Sequence, residues 1–345
     1  MKIVVDKYIP FINGVLEPYA EVVYASPDEI TSETVRDADA LLIRTRTRVD
    51  KNLLEGSRCT FVGTATIGMD HYDMEWCKKA GITAVNAPGC NAPAVAQYVL
   101  SAIGRLWDKP LSDTTIAIVG VGHVGRIVES WSRAVGMNVM RIDPPRQQKE
   151  RGSKWHTLED ATQIADIFTF HTPLIMNGEN STKHLGDKTF FNSLKRRPMI
   201  INAARGPVVD NVAWLEAIRL GLTSVSVVDV WEGEPNINRE LMFAADISTP
   251  HIAGYSEDGK IRATQIILDA LSKHFALPHL KADNREAVRI PERITIDDAT
   301  ESYNPMADTA LMRSALGKDM SVDEIIRTFE ALRDNYVLRP EIKFA

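Results

Sequence analysis

Cysteine is scarce in this chain, three in 345 residues, and no motif pairs them. Cys59, Cys77 and Cys90 show no C-x-x-C spacing. That excludes a disulfide scaffold and a thiolate metal cage, and it reads as the reduced thiols of a cytoplasmic protein. Long apolar runs are missing too: no stretch approaches about 18 residues, so neither a transmembrane helix nor a membrane partner is expected. The opening MKIVVDKYIP has neither the apolar segment nor the cleavage site of a signal peptide. Charge excess is slight, 40 basic against 46 acidic side chains for a formal net charge of −6, which gives no electrostatic ground for a nucleic-acid partner. None of the 8 histidines forms an H-x-x-x-H pair, so no metal site is expected. What remains is an ordinary globular composition, 44% hydrophobic and 25% charged, on a chain long enough for two or three domains.

The most informative stretch is Thr114 to Glu129, TTIAIVGVGHVGRIVE. Ile116 to Val119 is an apolar, β-branched run of the kind buried on both faces of a parallel sheet. Gly120, Gly122 and Gly125 follow as G-x-G-x-x-G and lead straight into helix-compatible sequence. The first glycine allows a tight turn, the second lets a pyrophosphate approach backbone, and the third lets helix and strand pack closely. The helix start, with His123 and Val124, offers free N–H groups to that pyrophosphate. The next apolar run, Asn138 to Ile142, ends in Asp143. An acid about 20 residues past the glycines suits the ribose hydroxyls of NAD and repels the extra phosphate of NADP.

Residues 1–92 read as short strands alternating with helices, with strands at Lys2–Val5, Ala40–Ile43 and Thr60–Gly63 and a helix at Ser26–Arg36. This pattern argues for a small parallel α/β unit. Ala87 to Pro93 breaks regular structure with two prolines and a glycine and marks a domain boundary; Ala94–Leu106 then runs as a helix. Asp166–His171, Met199–Ala203, Val225–Val230 and Ile247–Pro250 continue the buried strands. With the two around the glycines they make about six, as a doubly wound dinucleotide fold requires. Gly254–Phe275 is a long helical pattern returning to the first domain, and a charged linker at Lys281–Pro291 leads into the end of the chain. There Ser321 and Glu324 form a capping box, and Val322, Ile325, Ile326, Phe329 and Leu332 make one apolar stripe. A piece this short is marginal for a core of its own, so a subunit interface and a homodimer are expected.

The polar residues that close the later strands fall on one carboxyl edge, where open α/β sheets bind ligands. Arg205, followed by Gly206, is placed to hold a carboxylate with two donors. Glu234 and His251 bracket one short connection; a carboxylate beside an imidazole sets its tautomer, and histidine is best matched to moving a proton near neutral pH. Each residue alone has a plain structural explanation, and the convergence of three carries the catalytic reading. In the first domain, Arg44-Thr45-Arg46-Thr47-Arg48 follows a strand, reading either as a solvated edge or as a phosphate or carboxylate site. Gly63 to His71 is a loop of small residues whose backbone N–H groups suit an oxyanion.

Together GVGHVG, HTP, INAARGPVVD, DVWEGEP and TPHIAGYS resemble the D-isomer-specific 2-hydroxyacid dehydrogenase family. GTATIGMDHYD, NAPGCNAPAVAQYV and FEALRDNYVLRPE resemble its branch acting on a phosphorylated four-carbon hydroxy acid in pyridoxal 5′-phosphate biosynthesis. The resemblance implies an α/β fold of two Rossmann-like or flavodoxin-like parallel-sheet domains with a small α+β C-terminal dimerisation domain. Residues 1–92 with about 255–275 would form the substrate-binding lid, 93–254 the NAD-binding domain and 276–345 the dimerisation domain. The activity implied is NAD-dependent oxidation of 4-phospho-D-erythronate to (R)-3-hydroxy-2-oxo-4-phosphobutanoate. Arg205, Glu234 and His251 match the family's catalytic residues. Asp143, Thr172, Ala203, Asp229 and Gly254 match positions that contact NAD, and Thr45, Thr66 and Tyr255 match positions that contact substrate, with Arg44 and Arg46 as candidates for its phosphate. Two alternatives stay open: a relative acting on 3-phosphoglycerate, glyoxylate or D-lactate, and a catalytically silent NAD-sensing module on the same fold.

Overall fold

Aliphatic and β-branched runs of two to five residues, closed by polar residues, form the strands of two separate parallel sheets in the computed structural model. The structure describes residues 1–150, 154–283, 289–317 and 319–343. One unit comprises Met1–Asn91 with Ser256–Val288, the other Ala92–Tyr255 with Arg289–Ala345.

In the first unit, β1 (Lys2–Asp6), β2 (Glu21–Ala25), β3 (Ala40–Ile43), β4 (Phe61–Thr64) and β5 (Thr83–Val85) pair in the order β2-β1-β3-β4-β5. Every pairing is parallel, which is the flavodoxin-like order. One face packs Ile3, Val5, Leu42 and Phe61 against Ile267, Leu268 and Leu271 of the returning helix Glu257–Phe275. The other packs Val4, Leu41 and Val62 against Val35, Leu54 and Cys77. The helix expected at Ser26–Arg36 is reduced to a single 3₁₀ turn, Pro27–Glu29. Hydroxyls compete for the backbone there: Thr34 Oγ1 donates to the Glu29 carbonyl at 2.7 Å, taking an acceptor a helix would use.

In the second unit, β6 (Thr115–Val119), β7 (Asn138–Ile142), β8 (Ile167–Phe170), β9 (Met199–Asn202), β10 (Val225–Val228) and β11 (Ile247–Ser248) pair in the order β11-β10-β9-β8-β6-β7. These pairings are also parallel. The chain winds from β6 outward to β7 and then back across to β8, so the strand order reverses between β6 and β8, the place where such sheets bind a dinucleotide.

The region after 276 does not stand as a third unit. Residues up to 288 group with the first unit and those from 289 with the second; the linker expected at 281–291 lies partly outside the described residues. Met312, Leu316, Ile325 and Phe329 share one buried cluster with Trp214 and Met242, and Ile294, Ala299 and Tyr303 share another with Tyr98 and Ile103. Where mixed α+β is expected, the elements formed there by the described residues are the helices Ile296–Ser302, Pro305–Ala315 and Val322–Asp334. The capping box forms, with Ser321 N donating to Glu324 Oε2 at 2.8 Å. Of the expected stripe, Ile325 and Phe329 are buried while Val322 is exposed. Among the described residues no helix is long and apolar enough to cross a membrane.

Candidate active site

The glycine turn after β6 is crowded on one side and open on the other. Gly120 has φ +89, and a Cβ there would come within 2.8 Å of the His171 backbone and of Thr172 Cγ2. A Cβ on Gly125 would lie 2.1 Å from the Gly120 carbonyl oxygen, whereas one on Gly122 would meet nothing within 4 Å. The outer glycines therefore serve the turn and the helix contact, and Gly122 leaves the space a pyrophosphate needs. Helix His123–Ala134 starts at Gly122 with no side-chain cap, so its first amides keep their affinity for an anion. Val124 packs partly against the core.

Asp143 closes β7 and joins it to this turn, its Oδ2 accepting from Val121 N at 2.9 Å and its Oδ1 from Arg146 N at 3.0 Å. Arg146, the nearby cation that would serve an NADP phosphate, is paired with Glu150 and lies over Trp155. Across the switch point, His171 Nδ1 and Thr172 Oγ1 are buried without a hydrogen-bond partner among the described residues. Burial pushes the His171 imidazole down to about 3, so it is neutral. An open glycine cradle, an acid at the neighbouring strand end and two orphaned polar atoms suit a dinucleotide.

After β9, Asn202 folds the chain back: its Oδ1 accepts from Ala204 N at 3.1 Å and its Nδ2 donates to the Arg205 carbonyl at 3.1 Å. Ala203 sits inside this bend, and Arg205 emerges with Nη1 donating to the Ala204 carbonyl at 2.8 Å. Among the described residues Arg205 has no ion-pair partner. Gly206 brings the bend onto the next loop, since a Cβ there would lie 1.9 Å from the Trp231 carbonyl oxygen.

That loop carries Glu234, whose Oε1 accepts from Trp231 N at 2.8 Å while Oε2 lies 2.8 Å from His251 Nδ1. Burial alone would push the Glu234 carboxyl up. His251, the Trp231 N–H and Arg333 outweigh it and hold the group below the usual carboxylate range. An ionised acceptor on Nδ1 places the ring proton there and leaves Nε2 as the basic nitrogen.

His251 has a left-handed backbone, φ +59, which Asp229 secures. The Asp229 carbonyl accepts from His251 N at 2.8 Å, and its buried Oδ1 accepts from Ile252 N at 2.8 Å, Ala253 N at 3.0 Å and Thr249 Oγ1 at 2.7 Å. Burial raises the Asp229 carboxyl, against the opposing pull of His251 and these donors. Asp229, matched by resemblance to an NAD contact, thus also shapes the loop that carries His251 and leads through Gly254 to Tyr255.

Two arginines that the sequence reading did not single out reach this loop from the end of the chain. Arg339, 7% exposed, donates to the carbonyls of Ile252 and Tyr255 at 3.0 Å, to that of Ala94 at 3.2 Å and to that of Ala253. Arg333 Nη2 lies 3.5 Å from the Tyr255 hydroxyl. A third missed contact braces the loop of Glu234: His184 Nε2 meets Glu232 Oε1 at 2.7 Å. Periodicity carries no sign of such partners, although Arg333 does fall one helical turn after Phe329 of the apolar stripe.

In the first unit, Arg44 Nε donates to the buried Asp6 Oδ2 at 2.9 Å, and the guanidinium lies over Tyr8. Arg48 pairs with Asp50 at 3.0 Å. Thr45, Arg46, Arg48, Asp70 and His71 line a cavity of about 350 Å³, and Thr66 Oγ1 lies 2.6 Å from Thr64 Oγ1.

A family model described as "D-isomer specific 2-hydroxyacid dehydrogenase, NAD binding domain" matches residues 101–253. Erythronate-4-phosphate dehydrogenase of Bacteroides fragilis is 44% identical over 351 aligned positions, covering 99% of this chain and 97% of the relative. The enzyme of that name from Shigella flexneri is 40% identical over 356 positions, covering 99% and 92%. Among solved structures, D-lactate dehydrogenase from Aquifex aeolicus, complexed with NAD and lactic acid, superposes with a TM-score of 0.66 at 22% identity, over 80% of this chain and 96% of that one. At that identity the likeness speaks to the fold alone, and the near-complete match to the first two relatives speaks to the branch. Joined to a dinucleotide turn and a histidine–glutamate pair on one sheet edge, these matches show that the chain belongs to the erythronate-4-phosphate dehydrogenase family, within the NAD-dependent D-isomer specific 2-hydroxyacid dehydrogenases.

Proposed function

We propose that this chain oxidises 4-phospho-D-erythronate to (R)-3-hydroxy-2-oxo-4-phosphobutanoate with NAD, serving pyridoxal 5′-phosphate biosynthesis as a cytoplasmic homodimer. The observation that carries the reading is the 2.8 Å contact between Glu234 and His251, in the unit that also holds Arg205 and the dinucleotide turn. Bound NAD supplies the hydride acceptor. His251 Nε2 takes the proton of the substrate C2 hydroxyl as the hydride leaves C2. Glu234 holds Nδ1–H and stabilises the imidazolium that results. Arg205 binds the substrate carboxylate and polarises the forming carbonyl. A binding module needs no such acid–base pair, which disfavours the silent alternative.

The homodimer reading draws on the end of the chain. Leu311 and Val337, 58% and 86% exposed, border a cavity of about 650 Å³ that Tyr303, Leu332 and Tyr336 also line. An apolar surface of this kind is what a subunit contact covers.

The test follows NADH absorbance with 4-phosphoerythronate, 3-phosphoglycerate and D-lactate. Turnover confined to 4-phosphoerythronate, and reduced at least about 100-fold in His251→Ala, is the expected result. Turnover of a control instead would keep the chemistry and discard the substrate; NAD binding without any turnover would favour the sensing module.

A further inference from the structure

Arg333 is a cation in search of an anion. It stands in the last turn of helix Val322–Asp334, four residues after Phe329, and shares that residue's inward face. Phe329 is fully buried in the core of the second unit, and the Arg333 guanidinium lies 6.0 Å from the centre of its ring. The polar tip continues to Tyr255, with Nη2 3.5 Å from the hydroxyl. Its Nε is buried and has no hydrogen-bond partner among the described residues, and no carboxylate of those residues is within ion-pair distance. Glu234 and Asp229 are nonetheless close enough to feel its charge. Burial works against the guanidinium, and Tyr255, Glu234 and Asp229 more than compensate.

The charge is thus supported by neighbours at a distance, but the guanidinium keeps a buried donor without a partner and has no carboxylate of the described residues within ion-pair reach, which leaves its fork of donors for the oxygens of a ligand anion. The substrate of the proposed reaction has two anionic ends. Arg205 is placed for the carboxylate beside the reacting carbon, which leaves the phosphate. In the loop 44–48, Arg44 is already matched by Asp6 and Arg48 by Asp50, and Arg46, the other candidate of that loop, is not without a partner either. We propose that Arg333, acting with Tyr255, binds the distal phosphate of the substrate and so sets the preference for a phosphorylated hydroxy acid. This rests on the reading of the reaction given above. It assigns to the C-terminal helix a specificity-determining residue of the same chain's site.

The experiment compares the wild type with Arg333→Met, Arg333→Lys and Tyr255→Phe, using the NAD-loaded full chain. KM for 4-phosphoerythronate should rise about 100-fold in Arg333→Met and less in Arg333→Lys, with kcat nearly unchanged. Calorimetric affinity for inorganic phosphate should fall in parallel, while inhibition by unphosphorylated erythronate stays as in the wild type. A drop in kcat at constant KM, or equal weakening of erythronate and phosphate, would overturn the proposal in favour of a residue that positions Glu234. If Arg333→Met does not fold, Arg333→Lys and Tyr255→Phe decide by the same KM-against-kcat split. A wild type inert toward 4-phosphoerythronate defeats the reading of the reaction; an active wild type with indifferent variants defeats only the role of Arg333.

Discussion

At the residue scale, the site is built from groups whose conformation or protonation range is set by their neighbours. His251 keeps a left-handed backbone, φ +59, worth about 1–3 kcal/mol of strain, because Asp229 accepts from both of the next two amides. Glu234 is held below the usual carboxylate range, so it stays an ionised acceptor for His251 Nδ1 near neutral pH. His171 shows the opposite device. Its ring is pushed down to about 3 by burial, against about 6.5 in an unfolded chain. Between those values the unfolded state binds a proton that the native state does not, so stability rises with pH and the penalty vanishes above about pH 6.5. His171→Gln should flatten this acid limb by as much as about 1.4 kcal/mol per pH unit, seen as a shallower dependence of Tm on pH between about 4 and 6. An unaltered slope would mean that the native ring is already protonated there.

At the scale of elements, the glycine turn separates two effects that its motif runs together. Gly125→Ala drives a methyl into the Gly120 carbonyl and should destabilise the second unit by about 1–3 kcal/mol or more. Gly122→Ala points into open space, so denaturation should be nearly unchanged while NAD affinity falls about tenfold; equilibrium unfolding and NADH fluorescence titration read the two. Equal loss of stability in both variants would contradict this division. The turn was legible because a buried strand, three glycines, a helix start and Asp143 are all local in sequence. The core strands were legible for the same reason: β3, β4, β8 and β9 are buried along their whole length. The edge strands β2 and β5 are half-exposed and lack that apolar signature, which is why they were missed. That Arg205, Glu234 and His251 fall on one edge was legible because each follows closely on a strand of one parallel sheet. Arg44 could not be weighed against Asp6 without the pairing of β1 with β3, and Arg333 and Arg339 reach the loop after His251 only through packing distant in sequence.

At the scale of the whole molecule, the end of the chain is part of the NAD-binding unit's core. Removing residues 289–345 would strip Met312, Ile325 and Phe329 from the cluster around Trp214 and Met242. The truncated chain is therefore expected to lose NADH binding and cooperative unfolding of that unit, whereas a separable dimerisation domain would leave an NADH-binding monomer on size exclusion. Phe329 and Arg333 belong to one helix face, so the element that completes the core also delivers a charge to Tyr255. Arg339 extends this dependence to the loop after His251. The carbonyls of Ile252, Ala253 and Tyr255 are met by a guanidinium that lies 86 residues beyond Ala253 in sequence. A polypeptide that stops short of Arg339 can complete its glycine turn but leaves the carbonyls of the loop after His251 without this partner.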